Sequence, residues 1–233
     1  METVKLNEKE GILIPNKSGC TNFGAIALDG KRLFALKTAQ SNKKSALLQY
    51  QDYKSDKLSK ATYYVDLMGH GNGLAFYGGK IYVAPLDKYV QILDEKAGLK
   101  RTRLSAPINI NSIAHYKSTL FFAGLSLIRI TDKVELVKRY KLVWDDPDFP
   151  IGQDIGFYKG CLYIIRSSSG KTQNVILRCP FDRSVGTLTP DRVYISKSST
   201  TLYEFESIDF YGSSMIIAAN VAEGKDRIFT AKA

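Results

Sequence analysis

Short runs of alternating apolar and polar residues recur along the whole chain, and no amphipathic helix of useful length interrupts them. The runs fall into a repeat. Five segments align: Gly24-Ala25-Ile26-Ala27-Leu28-Asp29, Asn72-Gly73-Leu74-Ala75-Phe76-Tyr77, Asn111-Ser112-Ile113-Ala114-His115-Tyr116, Gln153-Asp154-Ile155-Gly156-Phe157-Tyr158 and Glu206-Ser207-Ile208-Asp209-Phe210-Tyr211. The third column is always aliphatic, the fourth is small in four of five copies, and the sixth is Tyr in four of five. A short Gly, Lys or Ser turn follows each segment. Then comes an apolar strand: Leu33–Leu36, Ile81–Ala84, Leu120–Ala123, Leu162–Ile165 and Met215–Ala218. Two such runs joined by a few turn residues form a β-hairpin.

The copies start at residues 24, 72, 111, 153 and 206, a spacing of about 40 to 50 residues. That is the length of one four-stranded propeller blade. Third and fourth strands are expected at Ala46–Tyr50 and Thr62–Leu67, Tyr89–Leu93 and Leu99–Leu104, Leu127–Thr131 and Glu135–Leu142, and Asn174–Cys179 and Arg192–Ser196. The fifth copy has only a third strand, Arg227–Ala231, before the chain ends. The apolar stretch Ile12-Leu13-Ile14 supplies its fourth and closes the ring, because an open ring would expose two blade faces. The expected fold is all-β: one domain, residues 1–233, a five-bladed β-propeller with no strand left over. A β-sandwich has similar strand content but needs no repeating columns.

Composition changes this picture little. The chain is 44% hydrophobic and 24% charged, ordinary for a globular protein. No apolar run is long enough to span a bilayer as a helix. The polar stretch Met1–Glu10 has no signal-peptide core, so the expectation is a protein that is cytoplasmic, or exported with a leader absent from this sequence. Cys20, Cys161 and Cys179 have no metal-binding spacing. Cys161 and Cys179 lie on expected hairpin partners; buried free thiols are favoured over a bridge. The net charge of +10 suits anionic partners. However, the hairpin loops that would rim a ligand site hold only Lys43, Lys44, Lys88, Lys171 and Lys225, about the chain average. No basic rim is therefore expected, and nucleic acid is not an expected partner, since aromatics do not interleave with basic residues.

A propeller places its candidate chemistry at the mouth of the central channel, where many backbones converge. Asn72, Asn111, Gln153 and Glu206 open four inner strands and should ring that mouth, either as ligand contacts or as partners for channel water. The loop Met68-Gly69-His70-Gly71-Asn72 lets the backbone approach a ligand, with His70 as a proton carrier. His115 occupies a column of Leu and Phe and reads as packing. Trp144, beside Asp145, Asp146 and Asp148, could stack on a sugar, and the carboxylates form a candidate Ca²⁺ site; the alternative is a rigid acidic turn. No other metal or cofactor is expected. Glycoside hydrolysis would need two carboxyls about 5 to 9 Å apart. Asp154 and Glu206 are the candidates, with Asp209 set deeper in its strand.

The segment Gly69-His70-Gly71-Asn72-Gly73-Leu74-Ala75-Phe76-Tyr77-Gly78-Gly79-Lys80-Ile81-Tyr82-Val83-Ala84 resembles the blade motif of small bacterial propellers, including helveticin-J-like bacteriocins. The five-blade size resembles the tachylectin-type lectins, whose repeats are more regular. The resemblance implies a bacterial or phage origin, action at a cell surface, and site roles for His70 and Asn72. The leading expectation is a monomeric lectin-like module binding a polar ligand, a cell-surface glycan or anionic wall polymer, through His70, Asn72, Asn111, Trp144, Gln153, Asp154 and Glu206. The second is a hydrolase or lyase using His70 with Asp154 or Glu206. The third is a protein-interaction platform.

Overall fold

A computed structural model describes residues 1–41, 43–66, 68–197 and 202–233. The chain is a five-bladed β-propeller. From inner to outer strand, blade one is Cys20–Asp29, Arg32–Ala39, Lys44–Tyr50 and Tyr63–Asp66. Blade two is Gly73–Tyr77, Lys80–Ala84, Asp87–Asp94 and Lys100–Ile110. Blade three is Ala114–Lys117, Leu120–Ala123, Ser126–Ile130 and Val134–Arg139. Blade four is Ile151–Tyr158, Cys161–Ser167, Gln173–Pro180 and Arg192–Lys197. Blade five is Tyr203–Tyr211, Ser214–Val221, Arg227–Lys232 and, from the N-terminus, Lys9–Leu13. Each inner strand touches the inner strands of both neighbouring blades, so the ring is closed. No described helix is long and apolar enough to cross a membrane.

The repeat columns have a packing cause. Side chains of a strand alternate between faces, so one face of each inner strand meets the next blade. The Tyr column of one blade packs on the fifth column of the next. Tyr77 stacks on His115 at 3.9 Å, Tyr116 meets Phe157 edge-on at 4.8 Å, and Tyr158 stacks on Phe210 at 4.8 Å. His115 is thus an aromatic plate, with its Nε2 3.0 Å from the Ser118 carbonyl oxygen. Burial holds its pKa below the ordinary histidine value, against the upward pull of that hydrogen bond.

Asp209 replaces a small residue for a different reason. Its carboxylate accepts from the Leu28 amide of blade one at 2.7 Å and from the Phe210 amide at 2.7 Å. Ser207 and Asn220 likewise accept from the amides of Ile26 and Phe23, at 3.1 Å each. Side chains from blade five therefore stitch blade one to it.

Three sequence expectations need correction. The chain does leave strands over. Glu2–Lys5 pairs in parallel with Arg192–Lys197 as a fifth strand of blade four, so the N-terminus clasps two blades rather than one. Glu135–Leu142 is not one strand: it breaks after Arg139, and Lys141–Leu142 pairs with Thr187–Leu188 instead. The inner strands of blades one, four and five begin upstream of the repeat. Leu67, the expected end of blade one, lies outside the described residues.

The three cysteines are free thiols. Cys161 stands opposite Pro180 and Cys179 opposite Leu162, one register step apart, so their side chains leave opposite faces of the blade. Burial pushes the Cys179 thiol up to about 12.

Candidate functional site

The long inner strands carry their extra residues as β-bulges at the position where each repeat begins. Register shifts fall between Phe23 and Ala25, between Gly152 and Ile155, and between Phe205 and Ser207. A bulge bends the strand and re-aims side chains. Here it places Asn22, Gln153, Glu204 and Glu206 on one cavity of about 710 Å³ at the channel mouth, formed mainly by blades one, four and five. His70, Asn220, Lys171 and Asp226 complete its polar lining.

Buried carboxyls dominate this cavity. Glu204 is 2% exposed and Glu206 7%. The Glu204 carboxylate accepts from Gln153 Nε2 at 2.7 Å and from Lys171 Nζ at 2.8 Å. Glu206 accepts from Asn220 Nδ2 at 2.5 Å. Burial, reinforced by the charge of Glu204, pushes the Glu206 carboxyl well above the usual carboxylate range; Asn220 and Lys171 oppose that rise. Ion pairing with Glu204 raises the Lys171 ammonium.

The backbone around the pair is held firmly. Asn174 of blade four accepts from the Phe205 amide at 3.0 Å and donates to the Tyr203 carbonyl at 2.7 Å, so one side chain brackets Glu204. Lys171 sits at φ 54 in the hairpin loop, and its carbonyl receives the Tyr203 amide at 2.8 Å.

A second charged cluster borders the same cavity through Asp226 and Asn16. Lys37 is fully buried on blade one. Its ammonium donates to Asp226 Oδ2 at 2.8 Å, to Asn16 Oδ1 at 2.5 Å and to the Ile14 carbonyl at 3.3 Å. All three of its donors are used, and the pair ties the N-terminal segment to blades one and five.

The structure brings together His70, Gln153 and Glu206 from the expected ring and separates the rest. Asn111 opens onto a different cavity, lined by blades two, three and four, which Gln153 also lines. Asn72 is 9% exposed, and its amide bonds the Ala84 carbonyl at 2.9 Å. Asp154 is fully buried and is not at the mouth. It fits because Gly73 has no side chain; a Cβ there would lie 2.8 Å from Asp154 Oδ1. Ser207 Oγ bonds Asp154 Oδ2 at 2.5 Å, while Oδ1 makes no hydrogen bond of good geometry. Burial drives its carboxyl well above the usual range, against the pull of Ser207 and the nearby Ile155 and Ile113 amides.

The loop with His70 also has a structural reason for its glycines. A Cβ on Gly24 would lie 2.3 Å from the Gly71 carbonyl oxygen, so backbone meets backbone between blades one and two. Trp144 is half-buried against the blade-four core, and the Arg166 guanidinium lies 5.7 Å from its ring centroid. In the same loop the Asp146 carboxylate accepts from the Asp148 amide at 3.0 Å, a turn contact. Among the described residues, no group of three or more His, Cys, Asp and Glu is placed to hold a metal ion.

Glu204, Asn220 and Lys171 were not expected as site residues. Glu204 lies two residues upstream of the repeat's first column, and the strand with its bulge at Phe205–Ser207 brings it to the same cavity as Glu206.

No protein-family model matches the sequence, and no curated protein matches it. Solved structures do. Glutaminyl cyclase from Myxococcus xanthus superposes with a TM-score of 0.64 at 13% identity, covering 99% of this chain and 98% of that one. The PQQ-bound aldose sugar dehydrogenase from Streptomyces coelicolor gives 0.46 at 14% identity, over 94% and 81% of the two chains. The RS223 β-xylosidase gives 0.47 at 12%, over 94% of each. At such identities the likeness to the cyclase is one of fold: this chain shares its propeller architecture over essentially the whole length of both proteins.

Proposed function

We propose that the mouth cavity binds a small polar substrate and that Glu206, whose carboxyl burial and a like-charged neighbour push toward its protonated form, donates a proton to it. The buried Glu204–Glu206 pair carries this reading. A carboxyl kept protonated by burial and a like-charged neighbour, inside a cleft, is the arrangement general acids use. Asn220 donates to Oε1, which leaves the other oxygen to carry the proton. Once the proton is given up, burial and the Glu204 charge make the carboxylate a ready base that recovers it. Lys171 and Gln153 hold Glu204 in place meanwhile. The reaction class is cleavage or rearrangement of a bond whose leaving group needs a proton, as in a hydrolase, lyase or amide-cyclising enzyme.

Glutaminyl peptides are the first substrates to assay, because a like-folded protein is a glutaminyl cyclase; simple glycosides come second. With an active substrate, Glu206→Gln should lower kcat by about a hundredfold or more. Unchanged kcat in that variant would remove Glu206 from the chemistry.

A second reading is a non-catalytic module for a polar ligand such as a glycan. The side-chain amides of Asn16, Asn22, Gln40, Gln153 and Asn220 on the cavity favour it, since they suit hydroxyl-rich ligands. Glycan-array binding that Asn22→Ala weakens, without turnover of the bound sugar, would select this reading.

A further inference from the structure

The cavity at the seam of blades two, three and four, about 610 Å³, differs in charge from the mouth cavity. Its walls carry Lys88, Arg139 and Arg166 and no carboxylate. Asn109, Asn111 and Gln153 add amide groups. Arg166 is fixed: its Nε donates to the Phe149 carbonyl at 2.7 Å and Nη2 to the Pro150 carbonyl at 2.9 Å, with Trp144 alongside. These contacts use only part of the guanidinium's five N–H donors and supply no counter-ion to its charge. The Arg139 guanidinium and the Lys88 ammonium make no hydrogen bond or ion pair with the described residues. Three cations without a counter-charge in one concave wall focus a positive potential. Arg139 and Arg166 come from strands, so a count restricted to hairpin loops overlooks them.

We infer that this seam binds the oxyanion group of a small ligand, a phosphate, sulfate or carboxylate. Arg139 and Arg166 offer planar forks that match such groups, and Lys88 adds a point charge. Gln153 lines both cavities, and its Nε2 is held by Glu204. On the reading proposed for Glu206, a ligand anchored here by its anionic end reaches across Gln153 to the proton donor. The inference therefore narrows that substrate to a small polar molecule with an anionic tail.

The test is titration of inorganic phosphate, sulfate and acetate into protein with ¹⁵N-labelled arginine, followed at the Arg139 and Arg166 Nε–H signals. Saturable shifts of both are expected with at least one of the anions. Arg139→Gln should then weaken binding of that anion roughly tenfold or more, the loss of one charge-assisted contact. Lys100→Gln removes equal charge at the far end of the blade-two outer strand and should weaken it about twofold at most. Glu206→Gln should leave anion affinity as in the wild type, which separates failure of the seam from failure of the mouth chemistry. No saturable shift with any of the three anions, or equal weakening by Arg139→Gln and Lys100→Gln, would overturn the inference.

Discussion

Two clusters of buried charge border the same cavity and are built in opposite ways. Lys37 and Asp226 form a pair of unlike charge in which every ammonium donor has a partner. Asp226 also accepts from the Val221 amide at 3.1 Å, and its backbone carbonyl receives the Ile14 amide at 2.8 Å. Glu204 and Glu206 put like charges side by side, and one of them is forced toward its protonated form. The first cluster is satisfied and closes the ring. The second is frustrated within a cleft, and such frustration persists where it has a use. Buried charge alone therefore does not mark a site; the balance of its partners does.

Breaking the satisfied cluster should have the largest effect. Lys37→Met leaves Asp226 and Asn16 without their cation and should cost about 3 to 5 kcal/mol in chemical denaturation. The double variant Lys37→Met with Asp226→Leu should recover part of that loss, because it removes the orphaned charge. Next in size is Gly24→Ala. Its Cβ would meet the Gly71 carbonyl oxygen at 2.3 Å, so one backbone has to shift. A loss of about 1 to 3 kcal/mol is expected, with no such loss for Gly152→Ala, where nothing lies within 4 Å of the added Cβ.

A smaller effect should appear in the pH dependence of stability. Burial raises the Asp209 carboxyl from 3.8 to about 6, against its two amide hydrogen bonds. The folded state then holds its proton more tightly than the unfolded state. Stability should fall as pH rises from about 4 to 6 and level off above that window. At about 1.4 kcal/mol per pKa unit the loss is at most about 3 kcal/mol. Asp209 is only partly buried where it lines the narrow channel of about 150 Å³, and screening there trims that figure. Denaturation midpoints measured across this range, against Asp209→Ser as reference, would expose the contribution.

The fold was legible because its cause is periodic. Tyr77, Tyr116 and Tyr158 recur since each packs on the next blade, and Ile12-Leu13-Ile14 stood out as a strand without a partner. Glu2–Lys5 was not legible: it is polar, short and held by a parallel edge pairing that leaves no alternating apolar signature. The site was legible only in part. Glu206 and Gln153 occupy the repeat's first column, but Asp154 occupies the second and turns inward beneath Gly73. Bulges caused the divergence, because one inserted residue swaps which neighbour faces the channel. Asn220 and Lys171 come from a second strand and a hairpin loop, and no spacing in the sequence links them to Glu206.

The most direct test of the contrast is the titration of Glu206 itself, followed by ¹³C NMR of its side-chain carboxyl in the intact protein, with Glu206→Gln to assign the signal. The structure predicts a midpoint well above the ordinary value of 4.5, and one that falls when Glu204→Gln removes the neighbouring charge. A Glu206 signal that titrates near 4.5 and ignores Glu204→Gln would contradict the account.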